Sequence, residues 1–483
     1  MRSLRRTGSR SGSGRARAAL AAVVMLSSAP GQADEAALQA QLERMNALIE
    51  TLQRRILDLE ARVGQARGPD RVRAGDEPVA QSGARAGSAF AAAAPASSAT
   101  PTTPTTPVML ARPAPSGAPP DLLPEPATVL SGYGELNYNR YLHDSNRSRA
   151  DLRRFVIGLS HRFDERLSFV GEVEWEHAVT SAGDAGESAI EQAYLDWSLA
   201  PSMSLRAGLF LMPFGFLNRS HEPPVFHGVE RNEVETRIIP TTWREGGLAL
   251  YGTTSEGWSW DTGVTTGFSI AKFSDASAPL ASVHQEMQLA NAHDLATYGA
   301  IKYSGIPGLQ LGAALFRGNA GQGNAAYAAD RMQPDLGGVR APVTLWEAHA
   351  RWQSGRLDLQ ALYAQGTIGD AGRIDATLAA WNSANGASRP YLPSVFNGWY
   401  AQGAWRIWSA GDASVSPFLR YERYDTQASM PTGFAASGSN ADRVATLGLS
   451  WKPHPQVVFK ADYQRYRVNA ASSRFNLGMG YLF

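Results

Sequence analysis

The sequence predicts an all-β fold: a 16-stranded antiparallel transmembrane β-barrel, preceded by a short N-terminal coiled-coil helix and a disordered Pro/Ala-rich linker. Residues 128–483 contain regular runs of about 9–12 residues with alternating polarity, the length that a tilted strand needs to cross a bilayer. The number of runs is even, and the connections between them alternate between long and short. Both features are typical of bacterial barrels made from one chain.

Residues 1–33 have the composition of a signal peptide. They contain six arginines and no acidic residue, an apolar stretch from Ala18 to Leu26, and small residues around Ala33 where cleavage is expected. The whole chain carries a net charge of +1, so the remainder is slightly acidic and nucleic acid is not an expected partner. The absence of cysteine excludes disulfides and thiolate sites.

Residues 34–66 are predicted to form a coiled coil. Apolar residues are spaced alternately four and three apart, with Leu42, Ile49, Ile56 and Val63 at the a positions and Leu38, Met45, Leu52 and Leu59 at the d positions. In a model peptide, β-branched a residues with Leu at d favour a dimer. Residues 67–127 are rich in Ala, Pro, Thr, Gly and Ser, a composition that predicts an extended, disordered linker.

The barrel region divides into sixteen predicted strands. Their spans are 128–141, 150–162, 166–177, 189–199, 203–212, 245–253, 257–268, 296–304, 308–317, 343–353, 356–366, 396–407, 413–424, 442–452, 456–466 and 473–483. The connections after even-numbered strands are short, and most of those after odd-numbered strands are long. Short periplasmic turns and long external loops would place both ends of the barrel, and therefore the coiled coil, in the periplasm.

Aromatic residues support a membrane-facing outer surface. Nine tryptophans share the outward register of their strands: Trp175, Trp197, Trp258, Trp260, Trp346, Trp352, Trp399, Trp405 and Trp451. Such residues form the girdles of a transmembrane barrel, where they contact outer-membrane lipid. The last strand ends in Tyr481 and Phe483, and this pattern resembles the C-terminal signal that the barrel assembly machinery reads.

Inward-facing charges are expected to line a water-filled lumen, because sixteen strands enclose a channel rather than a packed core. Strands three and four are acidic on the inside, and strands twelve to sixteen are more basic, which predicts a transverse field that selects charged solutes. The predicted pore-wall residues are Arg154, Arg206, Glu172, Glu174, Glu176, Arg351, Arg406, Arg420 and Lys460.

The segment after strand five, residues 213–244 and here called loop 3, has an unusual composition for an external loop. Phe214, Phe216, Phe226, Ile238 and Ile239 need a surface to pack against, which predicts that loop 3 folds into the barrel. Its charged residues would then narrow the pore. They are Arg219, His221, Glu222, His227, Glu230, Arg231, Glu233, Glu235, Arg237 and Arg244.

The same region resembles the phosphate-selective porin O and P family. The resemblance lies in Pro213-Phe214-Gly215, His221-Glu222-Pro223-Pro224, Val229-Glu230-Arg231 and Ile239-Pro240-Thr241-Thr242-Trp243. It implies a homotrimeric outer-membrane porin, a passive diffusion channel for small hydrophilic solutes or ions that carry charge, anions among them. Phosphate capture in that family is attributed to lysine clusters and an arginine ladder. This chain has only Lys272, Lys302, Lys452 and Lys460, which form no cluster.

Three alternatives remain open at this point. Catalysis is disfavoured because no G-x-S-x-G elbow is present, and neither an enzyme nor a cofactor is expected. A metal-handling channel would use His221, Glu222, His227 and Glu230, although Pro223 and Pro224 prevent a helical His pair, so no metal is assigned. An envelope-tethering barrel would reach peptidoglycan through the N-terminal segment and its linker.

Overall fold

A single closed antiparallel sheet forms the body of the protein in the computed structural model, which describes residues 128–181, 183–323 and 333–483. Strands adjacent in sequence pair with each other, and the last strand pairs with the first. The strands are β1 Thr128–Tyr141, β2 Arg149–Arg162, β3 Leu167–Glu176, β4 Ser188–Ala200, β5 Met203–Leu211, β6 Arg244–Thr253, β7 Trp258–Thr265, β8 Ala296–Tyr303, β9 Leu309–Asn319, β10 Pro342–Ser354, β11 Leu357–Ile368, β12 Val395–Trp405, β13 Trp408–Ala410, β14 Ala413–Ser429, β15 Ala441–His454, β16 Val457–Tyr466 and β17 Arg474–Leu482.

Sixteen strand positions make up the wall of the barrel, which confirms the predicted fold class. β13 continues β12 after an interruption of two residues, and both segments pair with β14, so together they occupy one strand position in the wall. The predicted strands match the observed ones closely. β7 ends at Thr265 and β14 continues to Ser429, and Arg244, expected in loop 3, is the first residue of β6. The signal peptide, coiled coil and linker predicted for residues 1–127 lie outside the described residues.

Alternation of the side chains separates an apolar outer face from a polar inner face. On β15, Val444 and Thr446 are buried, whereas Leu447, Leu449 and Trp451 point outward and are 60%, 41% and 43% exposed. The same register leaves eight of the nine predicted girdle tryptophans exposed, and Trp260 is half-buried. An apolar outer face is what a barrel presents to lipid.

Within the described ranges, helical structure occurs in the connections between strands. α1 is Val234–Arg237, α2 is Ala371–Asn385, and short 3₁₀ turns occur at Ser145–Arg147, Pro223–Val225, Ile270–Lys272, Ala281–Val283, Gly438–Asn440 and Ala470–Ser472. α2 ends at Gly386, whose φ of 61° is the left-handed conformation that commonly closes a helix. Among the described residues, none of the helices has the length and apolar character needed to span a membrane.

The apolar core lies beneath the long connections rather than between two sheets. Trp243 is fully buried at its centre, with its ring centroid 4.9 Å from that of Phe214, 5.2 Å from Phe268 and 5.0 Å from Phe316. Side chains of several connections complete this core, among them Val234, Ile238, Leu280, Ile374 and Leu392. Aromatic and aliphatic burial of this extent holds the connections against the loop end of the barrel.

Asp375 makes the docking of α2 sensitive to pH. Its carboxyl group is buried, with Oδ1 accepting a hydrogen bond from Leu392 N at 2.8 Å and Oδ2 lacking a partner among the described residues. Burial raises the pKa of Asp375 to about 7, and the Leu392 N–H partly offsets this effect. Because burial favours the neutral carboxyl, we expect the docked helix to be most stable at low pH and to lose this stability as the pH rises through about 7.

We therefore expect amide hydrogen exchange in Ala371–Asn385 to be faster at pH 8.5 than at pH 5.5, after correction for the intrinsic exchange rate. Asp375→Asn should reduce this difference, because the amide does not ionise. Equal pH dependence in the variant and the native chain would contradict the role of Asp375.

Phe483 closes the barrel seam. Its backbone N–H donates to Gly132 O at 2.9 Å, and its carbonyl oxygen accepts from Gly132 N at 3.0 Å. Tyr481 pairs with Gly134 on β1 and with Val457 on β16. Deletion of Phe483 removes both seam hydrogen bonds and the terminal aromatic residue, so we expect lower outer-membrane levels and fewer assembled oligomers on unheated gels.

Phe459→Ala provides the control, because Phe459 is an outward-facing aromatic residue on the neighbouring strand and makes no seam contact. Its level should stay close to that of the native chain. Native levels after deletion of Phe483 would show that the terminal residue is dispensable for assembly.

Candidate functional site

Loop 3 crosses the interior of the barrel. Arg219 Nη2 donates to Asp261 on β7 at 2.7 Å, and Val229 N donates to Asp462 on β16 at 2.6 Å. β7 and β16 are eight strand positions apart in either direction around the closed sheet, so they lie on opposite walls. A segment bonded to both therefore divides the lumen.

Glu235 organises the fold of loop 3. Its Oε2 accepts hydrogen bonds from Phe216 N at 2.7 Å and Leu217 N at 2.8 Å, and its Oε1 accepts from Asn232 Nδ2 at 3.0 Å and from the Tyr400 hydroxyl on β12 at 2.7 Å. Asn232 Oδ1 in turn accepts a hydrogen bond from Glu235 N in the first turn of α1. This carboxyl group joins both ends of the loop to the wall.

Polar side chains of β14, β15 and β16 bind the loop backbone directly. Each provides the acceptor or donor that an irregular backbone needs when it is removed from water. The contacts are Glu233 N to Glu422 at 2.6 Å, Ser450 Oγ to His227 O at 2.8 Å, and Lys460 Nζ to Gly228 O at 2.8 Å; the Tyr466 hydroxyl also donates to Glu233. Lys460, which the sequence predicted as a pore-wall residue, and Glu422 therefore hold loop 3 in place.

On the opposite wall, Asp261 is shared by two arginines. Arg219 reaches it from loop 3, and Arg206 Nη1 from β5 lies 3.4 Å away. The Tyr298 hydroxyl also donates to Asp261, at 2.6 Å. The inward carboxylate nearest in register to Arg206 is Asp196 on β4, which instead accepts a hydrogen bond from the Tyr251 hydroxyl.

Arg154 is the centre of an acidic cluster on β1, β2 and β3. Its guanidinium nitrogens lie 3.4 Å from Glu135, 3.4 Å from Glu174 and 3.5 Å from Glu176. Glu172, one position further along the same face, accepts a hydrogen bond from Gln192 at 2.6 Å. A single guanidinium is thus embedded among three carboxylates that come from β1 and β3.

Glu191 is a site residue that alternation alone misassigns. Counting inward from Asp196 places Ile190 inside and Glu191 on the lipid face, but a β-bulge shifts the register between Gln192 and Ile190. Ile190 is consequently 57% exposed, and Glu191 is fully buried. A charge on the lipid face is costly. Strict alternation along β4 would place Glu191 there, and this unfavourable placement itself indicates a bulge.

Glu191 meets loop 3 through His221. His221 Nε2 lies 3.3 Å from Glu191 Oε1, and the His221 ring packs edge-on against Tyr133 with centroids 5.8 Å apart. His227, the second histidine of the loop, lies on the opposite side of the lumen. Its Nε2 is 3.7 Å from Asp358 Oδ2 on β11, where Arg351 also forms a two-point ion pair with Asp358.

The four arginines among the predicted constriction residues have separate partners. Arg219 binds Asp261; Arg231 binds Thr241 and Thr242 within the loop; Arg237 binds Glu233 at 2.5 Å and Ser277 O at 3.3 Å; and Arg244 lies 3.3 Å from Glu286. They therefore form no continuous arginine row. Spacing along an irregular loop does not determine which wall each side chain meets.

The remaining predicted residues divide between the lumen and the rim. Glu230 accepts from Asn139 at 2.9 Å, Arg420 donates to Glu422 at 2.7 Å, and Glu222 precedes the Pro223–Val225 turn with its Oε2 buried. Arg406, expected on the pore wall, instead follows the end of β12, where it is exposed and donates to Gly355 O at 3.0 Å. The break between β12 and β13 removes it from the inward row.

The proposed metal ligands do not converge. His221 and His227 approach different walls, and Glu230 binds Asn139. Across the described ranges 128–181, 183–323 and 333–483, no group of three or more His, Cys, Asp or Glu side chains is arranged to hold a metal ion.

Comparison with known proteins gives the following similarities. The family model described as phosphate-selective porin O and P matches residues 128–474. An uncharacterized protein of Aquifex aeolicus is 33% identical over 340 residues, covering 70% of this chain and 75% of that protein.

Solved structures with low sequence identity are also similar. Salmonella typhi OmpF in complex with daunomycin is 13% identical, with 74% of this chain and 97% of that chain covered and a TM-score of 0.49. The outer membrane channel DcaP of Acinetobacter baumannii is 12% identical, with 74% and 98% covered and a TM-score of 0.47. An anion-selective porin from Comamonas acidovorans is 13% identical, with 74% and 100% covered and a TM-score of 0.43.

Proposed function

The chain belongs to the phosphate-selective porin O and P family, and from that membership we propose that it is a passive diffusion pore for small, charged, hydrophilic solutes in which loop 3 sets the conductance. Family membership makes the protein an outer-membrane channel and not an enzyme. The observation that carries the proposed constriction is the pair of loop 3 contacts, Arg219 with Asp261 and Val229 with Asp462, on opposite walls.

The solute path is proposed to be off-centre. The connections after β5, β7, β9 and β11 are long, and their apolar residues form the buried core around Trp243. The connections at 142–148, 177–187 and 467–473 are short, so the mouth is least covered beside β1 to β4 and β15 to β17. Water and solutes would pass on this side, beside the Arg154 cluster.

Two groups of charges give this path its proposed selectivity for charged solutes. The Arg154 cluster holds three carboxylates on one side. Nearer the turn end, Lys452 on β15 faces the lumen from this side, and Lys302 on β8 faces it from the opposite wall. Neither ammonium group lies within 4.0 Å of a carboxylate in the described part of the chain. A transverse field of this kind orients charged solutes, and the lysines would admit anions, phosphate among the candidates.

Planar bilayer recordings test the proposal. Purified full-length protein should give stepwise, ohmic currents, and the reversal potential in asymmetric KCl should report the preferred ion sign. Phosphate, sulfate and dicarboxylates are then added to the bath, and a bound anion should reduce the chloride current. Protein that inserts but conducts no current would contradict the pore and favour an envelope-tethering barrel.

The assembly is proposed to be a homotrimer, following the family resemblance in loop 3 and the barrel layout. The predicted coiled coil at residues 34–66 would lie in the periplasm, within reach of peptidoglycan. Native mass spectrometry of the full-length chain in a mild detergent distinguishes a trimer from the dimer that the a and d residues alone would favour.

A further inference from the structure

Four arginines form a patch on the outer surface at the loop end of β14, β15 and β16. Arg423 on β14 stands directly opposite Arg443 on β15. Arg467, just beyond β16, donates its backbone N–H to Arg443 O and continues the row, and Arg465 lies two residues before it. All four side chains are exposed. The residues on both sides of Arg423, Arg443 and Arg465 are buried, and so is Tyr466 beside Arg467, so the patch faces away from the pore.

The patch lacks an internal counter-charge. Like charges directly opposite each other across antiparallel strands are destabilising. None of the four guanidinium groups has an ion pair or a side-chain hydrogen bond among the described residues. Asp442 is nearby, but it points inward and accepts backbone N–H groups from the 467–469 turn. Asp425, two residues beyond Arg423, forms no ion pair within 4.0 Å in the part of the chain that the structure describes.

The surface beneath the arginines is apolar. Tyr421 and Leu419 on β14, Leu447 on β15 and Tyr463 on β16 point outward and are between 41% and 60% exposed. Trp399, cross-strand from Arg423, extends the aromatic girdle to β12. Aromatic girdles mark the boundary between hydrocarbon and headgroups. The guanidinium groups therefore stand at the headgroup level, directly above a surface that contacts acyl chains.

We propose that this arginine patch, Arg423, Arg443, Arg465 and Arg467, binds the phosphorylated headgroup of an outer-leaflet glycolipid. Arginine binds phosphate through two parallel N–H···O bonds, and one phosphate between Arg423 and Arg443 would remove their repulsion. A lipid is favoured over soluble phosphate because the adjoining apolar surface can bury acyl chains, which a free anion does not have. This lipid site lies outside the pore and does not depend on the proposed transport function.

The test uses purified full-length protein in a neutral detergent, titrated with diphosphoryl lipid A and followed by native mass spectrometry and thermal unfolding. The test variant is R423Q/R443Q. The control variant is R166Q/R356Q, which removes two exposed arginines from the turns at the opposite end of the barrel. Phosphatidylcholine and inorganic phosphate are the comparison ligands.

We expect R423Q/R443Q to bind lipid A about tenfold more weakly or worse, because two charge-assisted contacts are lost. Lipid A should raise the unfolding temperature of the native chain and of the control, but not that of R423Q/R443Q. Without lipid, the test variant should unfold at the same temperature as the native chain or higher, because the repulsion is removed.

Four results would overturn the proposal. Equal lipid A binding by the native chain and R423Q/R443Q would exclude the patch, and equal loss in the control would show only a general charge effect. Displacement of lipid A by millimolar inorganic phosphate would identify a free-anion site. A change in oligomeric mass of R423Q/R443Q in lipid-free detergent would identify the patch as a contact between copies of the chain.

Discussion

Glu235→Ala is expected to produce a several-fold rise in single-channel conductance. The change removes the acceptor for Phe216 N, Leu217 N, Asn232 and the Tyr400 hydroxyl at once. Each buried donor left without a partner costs about 1–3 kcal/mol. The native position of loop 3 is therefore destabilised by the sum of several such costs. The loop should therefore leave its position across the lumen and widen the path. Bilayer recordings of the variant measure the effect.

Two further variants separate the anchoring role from general damage. Glu235→Gln keeps the side-chain size but replaces one acceptor oxygen by a donor, so an intermediate conductance is expected. Glu256→Ala removes an exposed carboxylate from the short turn between β6 and β7 and should leave conductance unchanged. If Glu235→Ala assembles normally and conducts like the native chain, loop 3 does not set the conductance.

The second large effect is expected from reversing the charge of two lumen lysines. In K302E/K452E, both inward positions change sign, and among the described residues neither has a carboxylate within 4.0 Å to mask the change. Charges a few ångströms from a solute in a narrow channel interact by about 1–4 kcal/mol at the effective dielectric constants of protein surfaces. The cation-to-anion permeability ratio should therefore rise by about tenfold, because 1.4 kcal/mol corresponds to one decade.

The matched control for this experiment is R166E/R356E, which reverses two exposed charges in the turns. Salt screens such charges over about 10 Å, so their effect on selectivity should be small at 0.1 M KCl and should vanish at 1 M. The lysine variant should keep most of its shift at 1 M. Equal shifts in the two variants would mean that Lys302 and Lys452 are not beside the solute path.

Local patterns in the sequence determined the barrel, because alternation, strand length and turn length are properties of neighbouring residues. The girdle tryptophans and the seam strand ending at Phe483 follow from the same two-residue period. That period also identified Arg154, Arg206 and Glu174 as inward-facing residues. Within one uninterrupted strand, the face of a side chain depends only on its distance from a neighbour whose face is known.

Only the tertiary structure decided what these residues contact. A bulge of one residue places Glu191 inside, and a break after β12 places Arg406 at the rim. Either event interrupts the alternation of inward-facing and outward-facing residues along the strand. Arg206 pairs with Asp261 rather than Asp196, and the loop 3 arginines separate to different partners. Barrel closure brings residues from distant parts of the chain into the same lumen, so the partners of an irregular loop depend on the whole sheet.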